Sequence, residues 1–557
     1  MNKVNYYEVK KINSIKEMME NAVKEAGDKV AFKYKENKNI ISKTFSEFQD
    51  DTIALGTALS AEHIDDKHIA VIGSNSYKWI TVYLTVLKSK GVFIPIDKDL
   101  TIDDLIYTLK NSDTEVLFYA DKFEKYIDRI SNEIPKIKHF INLEKEHSEG
   151  NKLSYDELKS KGESLYQAGN KDYVNTKNED KNKLKMLVYT SGTTGYAKGV
   201  MLSEHNLTSM VYYGLRVSTI YNIGLSVLPY HHTYEAVAGI LVYIHHHSTT
   251  CINGSLKEVS SNIQLFKPDY IYIVPAFAEI FYKKIWTNAK ETKKDVALKI
   301  MIGISNALRK VGIDLREKLF KSIHEAFGGN LKKLVCGGAS LRPELGKFFD
   351  SVGISLVNGY GITECSPLIA VNTDDKLNDC TTVGFPLECL KLKLENEAEG
   401  IGEICVKGDT VMLGYYKNEE KTNEVLTKDG WFNTGDYGKI NSKGQLIITG
   451  RKKNLIVLKN GKNVFPEEIE NSIMQIPYVQ EVIVKAVKDE NGDEVKLCAE
   501  VFLNENKLKE CGITDSEKSL KEDIAKICKD FPIYKKIGKI EIRDTEFAKT
   551  SSNKIKR

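Results

Sequence analysis

One stretch constrains this chain more than any other: Tyr189-Thr190-Ser191-Gly192-Thr193-Thr194-Gly195-Tyr196-Ala197-Lys198-Gly199-Val200. The apolar run Met186-Leu187-Val188 before it reads as a buried strand, and Ser203 to Leu207 after it reads as a helix start with Ser203 at the cap. Three glycines, four hydroxyl residues and a lysine in a loop between such elements suit a polyphosphate. Glycine lets backbone N–H groups turn towards oxygens, Ser and Thr add donors, and Lys198 adds positive charge. The common P-loop pattern is excluded, because Ala197 stands where its second glycine belongs. Standing alone, the stretch also fits a hydroxyl-rich surface loop.

At 557 residues the chain is long enough for two or more domains. Its balance of 80 basic and 77 acidic residues, net +3, is too mild for a nucleic-acid partner. No apolar segment long enough for a signal peptide or a bilayer span is expected. Nine scattered cysteines without a Cys-x-x-Cys pair point to reduced thiols and a cytoplasmic protein.

Apolar runs at His68–Ile72, Val92–Ile96, Glu115–Tyr119, Tyr270–Val274, Leu331–Cys336 and Ile354–Asn358 alternate with helical patterns. That predicts an α/β protein with layered, mostly parallel sheets. The polar stretch 144–183 reads as a connection. The stretch 283–329 is helical and basic-leaning, with Val296, Ile300, Ile304, Leu308 and Val311 near helical spacing. It fits a packed helix or a membrane-surface helix making a peripheral contact, and packing is the expectation. From Gly384 onward short strands and tight turns take over. A boundary near Arg451 to Asn454 leaves about a hundred residues for a small α+β domain.

Three further clusters carry chemistry. Asn358-Gly359-Tyr360-Gly361-Ile362-Thr363-Glu364 offers a flat ring between glycines for a purine, a hydroxyl for a phosphate and a hard oxygen for Mg²⁺. It also fits a turn with a buried tyrosine. Thr434-Gly435-Asp436, with Gly450-Arg451 downstream, offers a carboxylate to a ribose diol, or is a plain turn. The C-terminal Lys549-Thr550-Ser551-Ser552-Asn553-Lys554 would by itself be a solvated basic tail.

Together, in this order, these motifs resemble the adenylate-forming superfamily. Leu228-Pro229-Tyr230-His231-His232-Thr233-Tyr234-Glu235, Gly337-Gly338-Ala339-Ser340-Leu341 and Gly461 to Glu470 resemble its long-chain fatty acyl-CoA synthetase branch. The resemblance implies a large N-terminal adenylation domain, residues 1–451, and a C-terminal lid, 452–557, hinged at Lys453. It implies ATP, Mg²⁺ and coenzyme A, and a two-step ligation: acyl-adenylate plus pyrophosphate, then acyl-CoA plus AMP, from a long- or medium-chain fatty acid.

Carried over by position, Thr190 and Glu364 would hold Mg²⁺. Ser191, Gly192, Thr193, Thr194, Gly195 and Lys198 would hold the β- and γ-phosphates. Tyr360, between Gly359 and Gly361, would stack on adenine, with Gly338, Ala339, Ser340 and Asn358 around it. Thr363 would meet the α-phosphate, Asp436 and Arg451 the ribose, and His232 the acyl carboxylate. Lys554 would bridge the carboxylate and the α-phosphate. Ala548, Asn553, Ala276 and the Tyr196-Ala197 pair depart from the usual pattern. Three alternatives stay open: a ligase for another carboxylic acid, an enzyme loading an acyl-carrier protein, and a non-catalytic nucleotide-binding relative. His245, His246 and His247, read as a strand, cannot share a metal.

Overall fold

The computed structural model describes residues 4–36, 39–190, 197–458, 462–488, 495–549 and 555. Contacts divide the chain into two units. The first comprises residues 1–392, 406–432 and 442–445, and the second residues 393–405, 433–441 and 446–557.

The first unit is built on two large sheets with helices against them. The eight-stranded sheet contains β1 (Leu184–Thr190) and β2 (Lys198–Ser203). Its order is Gly414–Tyr415, β2, β1, Val92–Ile96, His68–Ile72, Val116–Tyr119, His139–Asn142 and Lys152–Ser154. From β1 to Lys152–Ser154 every pairing is parallel, whereas β1–β2 and β2–Gly414–Tyr415 are antiparallel. The strands are short apolar runs because both faces are covered. Ile72, Ile94, Leu117, Phe140 and Leu187 meet Leu105, Leu109, Ile127 and Ile130 from the flanking helices in one buried core.

The nine-stranded sheet follows α1 (Glu204–Val217) and contains β3 (Ile223–Ser226) and β4 (Tyr270–Ile273). Two consecutive helices, α2 (Pro275–Glu291) and α3 (Asp295–Lys310), then lead to β5 (Lys333–Cys336), β6 (Ser355–Gly361) and β7 (Leu368–Val371). Spatially Phe385–Pro386, β7, β6, β5, β4 and β3 lie in that order, followed by Thr249–Ile252, Val30–Glu36 and Asn39–Thr44. Its interior pairings are parallel, with antiparallel strands at both margins. Helix Tyr77–Lys88 buries Trp79, Ile80, Val82, Tyr83 and Leu84, so it is enclosed on every side. The Tyr83 hydroxyl donates to the carbonyl of Ala236 at 3.1 Å.

Two expectations need correction. The glycine–hydroxyl stretch does not pass from strand to helix: Lys198–Ser203 is itself a strand, returning antiparallel to β1 with Thr190 opposite Lys198. The helix still begins where its cap predicts, with Ser203 and Asn206 forming a capping box. Residues 144–183 are more than a connection, since they hold helix Tyr155–Gln167. That helix fits against Phe45–Ala61 through Gly162, where a Cβ would lie 1.9 Å from the carbonyl oxygen of Ala54.

The second unit is α+β. Strands Ile401–Gly408, Phe432–Ile440 and Leu446–Arg451 belong to a four-stranded sheet. Val479–Lys488, Val495–Leu503 and Ile537–Arg543 form a three-stranded one. Helices Pro466–Ile473 and Ser516–Ile527 pack on the latter through Ile469, Ile473, Leu520 and Ile524, against Val484, Leu497 and Val501.

Candidate functional site

In parallel α/β sheets, ligands bind beyond the carboxyl ends of the strands. Most of the sequence-predicted residues fall there in the first unit. Thr190 ends β1, Lys198 begins β2, and Ser191 to Gly195 lie outside the described residues. Gly338, Ala339 and Ser340 form an exposed loop after β5, with Gly338 at φ +83°, a left-handed conformation that favours glycine. Asn358, Gly359, Tyr360 and Gly361 are the last four residues of β6.

Thr363 and Glu364 lie in one tight turn of helix, Thr363–Cys365, directly after β6. The turn is tied back on itself by the Ile362 N–H donating to the Pro367 carbonyl at 2.8 Å. Gly361 is opposite Leu368 in this fold-back, and a Cβ there would lie 1.9 Å from the Pro367 oxygen. Only glycine fits.

Glu364 and Lys198 are linked through Tyr415, a residue that sequence reasoning missed. The Tyr415 hydroxyl donates to Glu364 Oε1 at 2.8 Å, and Lys198 Nζ lies 5.0 Å from the centre of the Tyr415 ring. Burial, with the charge of Glu364, holds that hydroxyl protonated far above its ordinary range. Tyr415 is fixed by antiparallel pairing with Val200, and the Met412 N–H donates to the Glu364 carbonyl at 2.8 Å. A hydroxyl donating to one carboxylate oxygen orients the group. That is how supporting residues hold a metal-binding carboxylate.

His231 and His232 follow β3, in a segment pinned by Asn75, whose amide donates to the Leu228 carbonyl at 2.8 Å and accepts from the Tyr230 N–H at 3.2 Å. Their rings lie 4.1 Å apart. His231 Nε2 is 3.6 Å from Asp97, and burial lowers its pKa despite that carboxylate. His232 is half-buried and its carbonyl accepts from Glu235 and Ala236, starting the π-helix Tyr234–Leu241. His245 ends a helix, Val242–His245, and does not belong to a strand. Among the described residues no cluster of His, Cys, Asp or Glu fits a metal ion.

Between α1, the π-helix and β4–β7 lies an apolar cavity, partly open to solvent. At one end it reaches Gly338 and Gly359 to Gly361, and its walls include Met210, Leu215, Val242, Tyr272, Val335 and Leu368. Ser218 and Thr219 also line it. There the buried Lys333 donates to Ser218 Oγ at 2.7 Å, to the Thr219 carbonyl at 2.6 Å and to Asp374. Burial lowers the lysine pKa and Asp374 opposes that shift. All three ammonium protons are used, so the buried lysine is fully satisfied beside these two residues.

Asp436 and Arg451 lie in the second unit, opposite each other on neighbouring strands, with Nε and Oδ1 2.8 Å apart. The Asp436 N–H donates to Thr434 Oγ1 at 3.1 Å, and Gly435 has φ +71°. Lys453 lies in the single helical turn Lys452–Asn454, also in the second unit. Lys554 lies outside the described residues.

The donors present suit a magnesium nucleotide. A tyrosine-supported carboxylate and a threonine offer the hard oxygens that Mg²⁺ takes. Asn358 is buried with its Oδ1 unpartnered among the described residues, an acceptor for which an adenine amine has the matching N–H.

Glycine-rich turns, a supported carboxylate and an apolar cavity at the carboxyl ends of parallel strands define an α/β nucleotide-type site. Residues 19–416 match the family described as AMP-binding enzyme, and the chain belongs to that family. Long-chain-fatty-acid–CoA ligase FadD15 of Mycobacterium bovis is 29% identical over 436 residues, covering 75% of this chain and 70% of that protein. Long-chain-fatty-acid–CoA ligase 6 of Rattus norvegicus is 29% identical over 460 residues, 77% of this chain and 64% of that one. Among solved structures, the anthranilate CoA ligase AuaEII in complex with anthranoyl-AMP superposes with a TM-score of 0.76 at 20% identity, covering 99% of this chain and 96% of that one. ATP-bound MatB from Rhodopseudomonas palustris gives 0.74 at 21% identity, with 97% of each covered.

Proposed function

We propose that this protein is an ATP-dependent, AMP-forming fatty acid–CoA ligase of the cytoplasm. The observation that carries the reading is the apolar cavity ending at Gly338 and Gly359 to Gly361. An acyl chain fills the cavity with its carboxylate at the glycine end, where the nucleotide residues gather.

In the first step the acid's carboxylate oxygen attacks the α-phosphorus of ATP, and pyrophosphate leaves. Both reactants are anionic, so the approach needs positive charge and fixed donors. Thr363 contacts the α-phosphate, and Lys198, with Ser191 to Gly195, holds the departing phosphates. Tyr360 stacks on adenine, Asp436 and Arg451 hold the ribose, and His232 borders the carboxylate. Thr190 and Glu364 would hold Mg²⁺, which would supply neutralising charge at the phosphates. Residues 452–557 turn at Lys453, presenting Lys554 for adenylation and withdrawing it so that the thiol of coenzyme A can displace AMP.

The test is acid-dependent ATP–pyrophosphate exchange over saturated acids of graded length and over aromatic and amino acids, followed by coenzyme A and acyl-carrier protein as acceptors. Exchange should peak among long- or medium-chain acids and coenzyme A should be the acceptor. A peak with aromatic or amino acids, or no exchange with any acid, refutes the reading.

A further inference from the structure

Helix α3 is turned inside out. With 100° per residue, Gly303, Val296, Ala307, Ile300, Ile304 and Ala297 fill one continuous arc of about 120° without a charge. That arc faces solvent: Val296 is 62%, Ile300 56% and Ile304 50% exposed. Val311, at 72%, continues it past the helix end. The side that packs is the more polar one. It buries Leu298 and Ser305, donates from Asn306 to Ser351 Oγ at 3.2 Å, and pairs Arg309 with Asp350 at 2.7 Å.

Scattered exposed apolar residues need no explanation, but a contiguous stripe on one element does. The charge around it narrows the partner. Residues 283–310 contain eight basic side chains (Lys283, Lys284, Lys290, Lys293, Lys294, Lys299, Arg309, Lys310) and two acidic ones (Glu291, Asp295). Of these ten, all but Asp295 and Arg309 are exposed. Two copies stacked through this face would bring two basic rims together. A surface that is apolar below and negative above satisfies both features.

We infer that α3 docks the protein onto anionic lipid bilayers. The helix lies in the plane of the interface, its Val296–Ile300–Ile304 stripe among the acyl chains and its lysines at the headgroups. At 16 residues, about 24 Å long, it is too short to span the bilayer. No described helix is long and apolar enough to do so.

The test is co-sedimentation of the full chain with vesicles of phosphatidylcholine alone and of phosphatidylcholine with phosphatidylserine, without acid or nucleotide. Its outcome is therefore separate from that of the ligase reading. Binding is expected on the phosphatidylserine vesicles and should weaken with salt. Ile300→Asp with Ile304→Asp should lower it at least tenfold. Lys293→Gln, Lys294→Gln and Lys299→Gln together should lower it about a hundredfold at low salt, roughly fivefold per charge, and flatten the salt response. Unchanged thermal unfolding and elution volume would exclude misfolding. Wild-type binding no stronger than that of the double aspartate variant overturns the inference. So does a wild-type elution volume that shifts to a smaller species in that variant, which would assign the face to contact between copies.

Discussion

Glu235 is fully buried in the π-helix that walls the acyl cavity, and replacing it should change how stability responds to pH. Its Oε1 is 2.5 Å from Ser226 Oγ, while Oε2 has no partner among the described residues. Burial raises its pKa from 4.5 to about 8, and the Ser226 hydrogen bond opposes the rise only in part. The folded state therefore keeps a proton that the unfolded chain loses above pH 4.5. Stability from the neutral carboxyl is complete below pH 4.5 and is lost as pH rises, until the folded group ionises near pH 8. At about 1.4 kcal/mol per pH unit, the interval corresponds to roughly 5 kcal/mol in full and on the order of 3 kcal/mol at pH 7. Glu235→Gln keeps the shape and removes the titration. In urea unfolding followed by circular dichroism from pH 5 to pH 9, the variant should gain on the wild type as pH rises, and the gap should level off above pH 8. Parallel curves across that range would refute the argument, as would a variant that loses ground at pH 9.

Tyr415→Phe removes the hydroxyl that orients Glu364. The Mg²⁺ concentration for half-maximal pyrophosphate exchange should rise about 10–100-fold, with the maximal rate recovered at high Mg²⁺; an unaltered Mg²⁺ dependence would remove Tyr415 from the site. Gly361→Ala places a Cβ where the Pro367 oxygen lies, so the β6–β7 fold-back must open. It should cost about 1–3 kcal/mol in unfolding and most of the exchange activity, and a variant active and stable as the wild type would contradict the geometry. Lys554→Ala should slow acyl-adenylate formation about 10²–10³-fold while largely sparing thioester formation from supplied acyl-adenylate. Equal loss in both half-reactions would count against rotation at Lys453.

The elements most legible in the sequence are those whose cause is local. His68–Ile72 and Val92–Ile96 are apolar runs buried on both faces, and they fold with those boundaries. Ser203 caps its helix because a hydroxyl three residues before a free N–H needs no tertiary partner. Tyr360 and Glu364 stand out in the sequence for a related reason: the glycines around the tyrosine and the adjoining Thr363 are within a few positions. What stays hidden is fixed across the fold. Tyr415 lies 51 positions from Glu364 and carries no signature beyond a preceding glycine. Its role exists only because Gly414–Tyr415 pairs with β2. The return strand Lys198–Ser203 was hidden likewise, since its six residues read equally well as the approach to a helix.

Helix α3 marks the limit most sharply. A period of 3.6 states that Val296, Ile300 and Ile304 share a face, but not which way the face points. Burial is the usual answer because each such side chain gains ~1.5–3 kcal/mol on leaving water. Here Asn306 and Arg309, bonded to Ser351 and Asp350, hold the opposite face inward. The packing of the helix is thus decided by polar contacts from the helix Pro343–Ser351, elsewhere in the chain. An apolar face held outward by specific polar bonds keeps the hydrophobic free energy unspent until a second phase is met. The same helix can then be well ordered in water and still bind a bilayer.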